Sequence, residues 1–526
     1  MTLRDIPVID LFAGPGGLAE GFSSANSSGA PRFRVALSIE KDPNAYQTLK
    51  LRSFFRTFGG RPPNEYYDYL RGDIARAELE ANPRFAENWQ IASREALQLT
   101  LGAESRSSVS KLVHERLKGT DEWVLIGGPP CQAYSLIGRA RMQSRTNTSQ
   151  FEKDERHFLY KEYLRIIAEH APSVFIMENV KGLLSSKIND KRLFDQILSD
   201  LQTPSRNGPR YRVVPLNQPT NRLDPDPRDF ILCSEQFGVP QARHRVILCG
   251  VREDIVGSPE PLRAQLPISV SSAIGDLPRI RSRVSRSDDS ARDWQRALVE
   301  GAKIAQREAD SDLSDVVLEM LSSADRAIGI TSPGNRFIVG SASDARRGSS
   351  QYTRWIHDRR IEGYANHESR AHMRSDLYRY LFSSSFASVN GTSPRLGDFP
   401  TTLLPRHRSA RSKSGNFAFS DRFRVQLSGE PATTITSHIS KDGHYFIHPD
   451  PSQCRSFTVR EAARLQSFPD NYLFEGNRTQ QFHQVGNAVP PLLAFQIAKS
   501  VQEFLSRSTS YSKLRRGDTI RPATAS

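Results

Sequence analysis

The stretch from Pro7 to Glu40 limits what this chain can fold into more than any other. Pro7-Val8-Ile9-Asp10-Leu11-Phe12 is a mostly apolar run that reads as a buried strand. Ala13-Gly14-Pro15-Gly16-Gly17-Leu18 follows as a glycine-rich turn, residues 19–25 open a helix, and residues 33–40 make a second strand ending on Glu40. Strand, tight turn, helix and strand in that order predict an α/β fold with a parallel, helix-covered sheet. Glycines in the first turn let backbone approach a ligand closely, and a carboxylate closing the second strand is placed to hold ribose hydroxyls. The glycine spacing is not G-x-G-x-x-G, so a dinucleotide is disfavoured and a nucleoside with no phosphate to cradle fits better.

Trp123-Val124-Leu125-Ile126 predicts another buried strand, released into Gly127-Gly128-Pro129-Pro130-Cys131-Gln132-Ala133-Tyr134-Ser135. Two glycines and two prolines force an irregular turn. Cys131 therefore leaves the carboxyl end of a strand, the edge where open α/β sheets bind ligands, and is the candidate nucleophile. Cys233 and Cys249 lie in apolar strand-like runs and read as inert core residues. With Cys454 the cysteines are widely spaced and form no C-x-x-C pair, which argues against a zinc site and against a disulfide framework. Residues 139–157, rich in Arg, Ser, Thr and Gln, read as a mobile loop beside the nucleophile, able to close over a polyanion.

Downstream, Phe158, Leu159, Tyr163, Ile166 and Ile167 recur at helical spacing, and Pro172 ends that helix. Val174-Phe175-Ile176-Met177 is the next strand, and it delivers Glu178-Asn179 to the same sheet edge. A carboxylate there is partly desolvated and suited to general acid work. Leu193 to Leu201 predicts an amphipathic helix. In Gln241-Ala242-Arg243-His244-Arg245, the two arginines alternate at the start of a strand and share one face, fit to anchor a polar ring or a phosphate. From 256 to 455 the periodicity degrades, and basic clusters (Arg279, Arg281, Arg283, Arg286; Arg406 to Arg424) interleave with hydroxyls and aromatics. This predicts a smaller, loop-rich, β-containing domain with a nucleic-acid-facing surface. Order returns at the capping-box pattern Thr458-Val459-Arg460-Glu461, at a tight turn over Gly486-Asn487-Ala488-Val489, and at a helix begun by Pro490-Pro491. Residues 506–526 read as a disordered basic tail.

A net charge of +14 and a pI near 9.7 favour polyanionic partners. No apolar run approaches the roughly 20 residues that span a bilayer. No secretory pattern opens the chain, so no membrane partner and a cytoplasmic address are expected.

The succession Asp10 to Gly17, Glu40, Asp73, Pro130-Cys131-Gln132, Glu178-Asn179-Val180, Gln241-Ala-Arg243-His-Arg245, Arg460-Glu-Ala-Ala-Arg464 and Gly486-Asn487-Ala-Val resembles the ordered motif series of the DNA cytosine-5 methyltransferases. It covers roughly 1–255 and 456–505. The resemblance implies a discontinuous, mixed but mostly parallel Rossmann-like methyltransferase domain over those residues, with 256–455 as the target-recognition domain. It also implies S-adenosyl-L-methionine as methyl donor, duplex DNA as partner, a monomer, and the modification arm of a restriction-modification pair with a cognate endonuclease. Cys131 would attack C6 of a cytosine turned out of the duplex, Glu178 would hold or protonate N3, and Arg245 would bind the O2 side and orient Glu178, with Arg243 beside them. Asp10, Phe12, Gly14, Gly17, Leu18, Glu40, Asp73, Pro130 and Asn487 would form the cofactor pocket, with Glu40 on the ribose and Asp73 on the adenine amino group. Gln132, Ser135 and Asn179 would touch the substrate, and no metal is implied. Tyr134 stands where phenylalanine is common, Pro15 interrupts the glycine turn, and the segment after Asp73 is long. The alternatives are a transfer-RNA cytosine-5 methyltransferase, disfavoured by the large recognition region, and an inactive DNA-binding relative, disfavoured because every reacting residue is present. A nicotinamide dehydrogenase is disfavoured by its required glycine spacing.

Overall fold

A computed structural model describes residues 5–25, 31–130, 159–188, 191–219, 225–286, 288–308, 311–340, 350–406 and 419–517. Short apolar runs, buried on both faces, build the central sheet. Its strands are β1 (Asp5–Leu11), β2 (Arg32–Glu40), β3 (Ala96–Gln98), β4 (Val124–Gly127), β5 (Val174–Val180), β6 (Tyr211–Val214), β7 (Ile231–Cys233) and β8 (His244–Arg252). They lie in the order β3-β2-β1-β4-β5-β8-β6, with β7 also on β8. Strands β1 to β5 pair in parallel, and β8 runs antiparallel to β5, β6 and β7. The sheet is therefore mixed and mostly parallel, as the sequence predicts. Strand order reverses between β1 and β4, so the crevice at their carboxyl ends is the natural ligand site.

Alternate residues feed two cores. Ile6, Val8, Val124, Ile126, Val174 and Ile176 face one layer, while Ile9, Leu11, Leu125, Phe175 and Met177 face the other. The second layer is closed by α-helices at Arg106–Leu117, Leu159–His170 and Leu193–Gln202. The first is closed by α1 (Gly17–Ser24) and by α2 (Pro491–Gly517), the last helix of the chain. These two helices approach so closely that a Cβ at Gly21 would lie 2.4 Å from the Ala494 Cβ. The last helix continues to Gly517, past the point where the sequence predicts order to end. Only residues 518–526 of the expected tail lie outside the described residues.

The intervening region is more helical than its weak periodicity suggests. Helices at Ala291–Glu308, Ser314–Arg326 and Arg374–Asn390 enclose a separate core around Trp294, Leu298, Met320, Leu377 and Leu381. Small residues on the packing face (Ala297, Gly301, Ala302, Ala305) blur the apolar stripe in the sequence while allowing close helix contact. Other parts of the region, including Val270, Ile274, Tyr352, Ile356, Ile435 and Phe446, pack into the main core. Among the described residues, no helix is long and apolar enough to cross a membrane.

Buried histidines sit where this region meets the main body. His367 Nδ1 lies 3.0 Å from Thr458 Oγ1 and its Nε2 lies 2.9 Å from the Pro278 carbonyl, while His448 Nδ1 accepts from the Asp450 amide. Burial pushes both down to about 4. Each stays neutral in the fold but binds a proton in the unfolded chain below its usual 6.5. Stability is therefore full above pH 6.5 and is lost as pH falls toward 4, by about 1.4 kcal/mol per pH unit for each histidine. Urea unfolding at pH 5 should show a lower midpoint than at pH 7, and His367→Gln should flatten that dependence.

Candidate active site

The glycine turn is held to the sheet by Glu40. Its Oε2 accepts the Gly14 amide at 2.8 Å and its Oε1 accepts the Asp42 amide at 2.8 Å. Phe12, Gly14 and Gly16 all take positive φ (59°, 57° and 98°), so the chain doubles back sharply between β1 and α1. A Cβ at Gly14 would meet nothing within 4 Å, which leaves open space over the turn for a ligand. Gly17 has a different constraint, because a Cβ there would strike the Val489 carbonyl at 2.2 Å. Leu18 is buried in the core beneath. Asp10 is also fully buried, and neither carboxylate oxygen has a hydrogen-bond partner. Burial pushes its carboxyl well above the usual range, only partly opposed by the nearby Arg56. Asp10 thus underlies the turn and does not face the ligand space. Asn487, exposed at the end of the helix Arg478–Asn487, is brought beside the turn by the Gly17–Val489 contact.

Next to this turn, β4 releases Gly127 to Pro130. Gly127 is required because a Cβ would lie 2.5 Å from the Leu11 carbonyl. Over Gly128 rests the Glu178 carboxylate, whose Oε2 is 3.1 Å from where a Cβ would stand. Arg245 Nε lies 2.9 Å from Glu178 Oε1, and each side chain is only 13% exposed. This pair is a product of register, since Arg245 stands opposite Val180 and Ile247 opposite Glu178 on the antiparallel β5–β8 ladder. Asn179 is buried, and its Nδ2 donates to the Pro129 carbonyl at 3.4 Å. Its observed contact is thus to the root of the loop. Cys131, Gln132, Ser135 and the expected loop over 139–157 lie outside the described residues.

Arg243 does not share the position of Arg245. It is 2% exposed and donates to the Ile435 carbonyl at 2.8 Å and the Gly486 carbonyl at 3.2 Å. Burial lowers it to about 9, helped by Arg245 and opposed by Glu178. Gln241 works alongside, accepting the Ile435 amide at 2.7 Å and donating to the Leu465 carbonyl at 3.2 Å. The short strand Ala432–Thr433 pairs with Gln241–Ala242. Residues 431–438, which the sequence predicts within a separate domain over 256–455, run beside Gln241–Arg243. The Gln241 motif carried that signal only once its distant partners were known.

Asp73 is a correction. The stretch Arg71-Gly72-Asp73-Ile74 reads in the sequence as a strand end, yet Asp73 follows the helix Asn64–Arg71 and its left-handed cap Gly72. There it is exposed and paired with Arg71 at 3.0 Å. The third strand is Ala96–Gln98 instead, with Gln98 opposite Glu40 and the Leu99 amide donating to the Glu40 carbonyl at 3.0 Å. Three strand residues inside a polar, helix-rich stretch left no period to read. Cys233 is a second correction, being partly buried at the β7 end and not a core residue, whereas Cys249 and Cys454 are buried.

Comparison with known proteins points to one family. The model of the C-5 cytosine-specific DNA methylase family matches residues 80–503. The chain is 32% identical over 525 residues to the Type II methyltransferase M.Bpa9945I of Bacillus paralicheniformis, covering 95% of this chain and 99% of that protein. It is 25% identical to the DNA (cytosine-5-)-methyltransferase M.ApeKI of Aeropyrum pernix, covering 94% and 98%. Its fold is similar to the crystal structure of a protein described as a DNA modification methyltransferase encoded within an E. coli prophage, with a TM-score of 0.51 and 19% identity, over 95% of this chain and 99% of that one.

The bonds made by Arg243 set an expected cost. Arg243→Met leaves two buried carbonyls unpaired and should destabilise the fold by about 1–3 kcal/mol, measured by denaturant unfolding.

Proposed function

The chain belongs to the C-5 cytosine-specific DNA methylase family, and from that premise we propose that it transfers methyl from S-adenosyl-L-methionine to C5 of a cytosine within a specific duplex sequence. The observation that carries this reading is the Glu178–Arg245 pair resting against Gly128, three residues before Cys131.

A base inside a duplex is out of reach, so the cytosine must first leave the stack at a cost of a few kcal/mol. The Cys131 thiolate then bonds to C6, and the displaced electron pair moves into the ring. Glu178 shares a proton with N3, so the incoming charge has a positive partner. Such help is worth about 10²–10⁴ in rate. Arg245 keeps the Glu178 carboxylate aimed by its 2.9 Å contact and offers its remaining donors to the O2 side. C5, now electron-rich, would take the donor's methyl group, the donor leaving as its neutral thioether. A water or hydroxide base then removes the C5 proton, and that electron pair expels the Cys131 thiolate from C6. N3 returns its proton to Glu178, which restores the aromatic ring. Splitting the reaction this way replaces one difficult step with easier ones. Arg243 acts as a positioning residue, since its donors go to backbone carbonyls.

The methyl donor supplies an activated methyl group, and the residues around the glycine turn suit it. Glu40 would hold the ribose hydroxyls, the open backbone at Gly14 would receive the methionine portion, and Phe12, Pro130 and Asn487 would line the rest. Gln98, and not Asp73, stands at the strand end beside Glu40. Gln132 and Ser135 would meet the target nucleotide. The region 256–455, with its arginines, would read the DNA. By analogy with its Type II relatives the chain would protect a site that a companion endonuclease cuts, working as a cytoplasmic monomer.

Purified protein should transfer labelled methyl from S-adenosyl-L-methionine to duplex DNA, and transfer only to transfer RNA would overturn the reading. Cys131→Ser should lose turnover yet still bind the cofactor, as followed by calorimetry. Glu178→Gln should slow single-turnover methylation by about 10²–10⁴.

A further inference from the structure

The corner between β7 and β8 gathers three side chains that the chemistry above leaves idle. Cys233, at the end of β7, stands opposite His244, the first residue of β8. Glu235 lies in the single 3₁₀ turn Ser234–Phe237 that leads back toward them. Its Oε1 is 2.8 Å from His244 Nε2. Its Oε2 is buried and has no hydrogen-bond partner. A lone-pair-bearing oxygen taken out of water without a donor is costly, and it signals a missing positive partner. Sulfur, ring nitrogen and carboxylate oxygen, one from each residue, lie within 4.8 Å of one another.

We propose that Cys233, Glu235 and His244 form a binding site for a divalent cation of the zinc class. Thiolate and imidazole together select borderline-soft metals over magnesium or calcium, which prefer all-oxygen shells. Three protein ligands with a fourth position left to water is a recurrent zinc arrangement. Metal–ligand bonds of about 2.0–2.3 Å put tetrahedral ligand atoms roughly 3–4 Å apart, within reach of small side-chain rotations here. Binding displaces the thiol proton and the hydrogen bond between His244 and Glu235, and the neighbouring Oε2 gains the positive partner it lacks. The corner is already rigid. Ser234 Oγ lies 2.9 Å from the Gln241 carbonyl and 2.8 Å from that of Arg243, and it accepts the Arg243 amide at 3.1 Å. A cation there would cross-link β7 to β8 one residue from both Arg243 and Arg245. The sequence concealed this site because its ligands are of three types and do not recur as cysteine pairs.

The full chain, stripped with chelator and titrated with Cd²⁺, should bind one equivalent and develop the ultraviolet thiolate-to-cadmium band, with zinc stoichiometry checked by elemental analysis. Cys233→Ser should abolish the band, Glu235→Gln should weaken binding about tenfold or more, and Cys131→Ser should leave both unchanged. Absence of the band, its survival in Cys233→Ser, or its loss in Cys131→Ser would overturn the site. Circular dichroism checks that each variant folds. If Cys233→Ser does not fold, alkylation of the unaltered chain decides, since zinc should shield Cys233 from modification and an unshielded Cys233 refutes the proposal. Neither readout involves methyl transfer, so the outcome is independent of the catalytic reading.

Discussion

Three arginines around one short helix must keep their charge matched inside the protein, and the junction between the two cores depends on it. Arg455, Arg460 and Arg464 are each no more than 1% exposed. Arg464 spans both oxygens of Asp470 at 2.9 Å and reaches Asp276 at 2.5 Å. Arg455 spans both oxygens of Glu461 at 2.7 Å, and Arg460 donates to the carbonyls of Ala365, Pro469 and Tyr472. Burial alone would raise the carboxyls of Glu461 and Asp470, yet the arginines beside them hold both well below the usual carboxylate range. Removing one member of such a pair strands a buried charge at a cost of roughly 3–5 kcal/mol. The helix Val459–Leu465 thereby ties residues 276–280, 365 and 469–472 into one frame.

Within that frame the two arginines of Gln241–Arg245 divide their labour. Arg245 stands on β8 opposite β5 and reaches Glu178 with its side chain, whereas Arg243 lies just before β8 begins. Arg243 places its donors on Ile435 and Gly486, which joins the stretch around Ile435 to the turn above α1. Sequence alternation suggested one shared task. Burial separates them, since an arginine without a carboxylate partner has to satisfy its hydrogens on backbone carbonyls.

What was legible beforehand followed from local period and local turn chemistry. β1, β2, β4 and β5 announce themselves by apolar runs, and the Thr458–Glu461 capping box forms as read, with Thr458 Oγ1 accepting the Glu461 amide at 3.2 Å. Ordered motifs placed Glu178 and Arg245 together although 67 positions separate them in the numbering. What stayed hidden depends on partners far along the chain. Asp73 has the sequence look of a strand end but lies in a capped helix exit, and β3 is too short to show alternation. The three helices between residues 291 and 390 are hard to read in the sequence because small residues on their packing faces, such as Ala302, Ser323 and Ser384, weaken the apolar stripe.

The seating of the last helix against the first has a bearing on how the protein comes into being. Gly17 and Gly21 are covered by Val489 and Ala494, so the turn is completed by residues that leave the ribosome roughly 470 positions after it. At about 5–20 residues per second, some 470 positions of synthesis take on the order of half a minute to a minute and a half. Through that interval β1 and the glycine turn lack the helix that covers them. The glycine turn is thus closed only after residues 489–494 have been made, when both segments of this layer are present together.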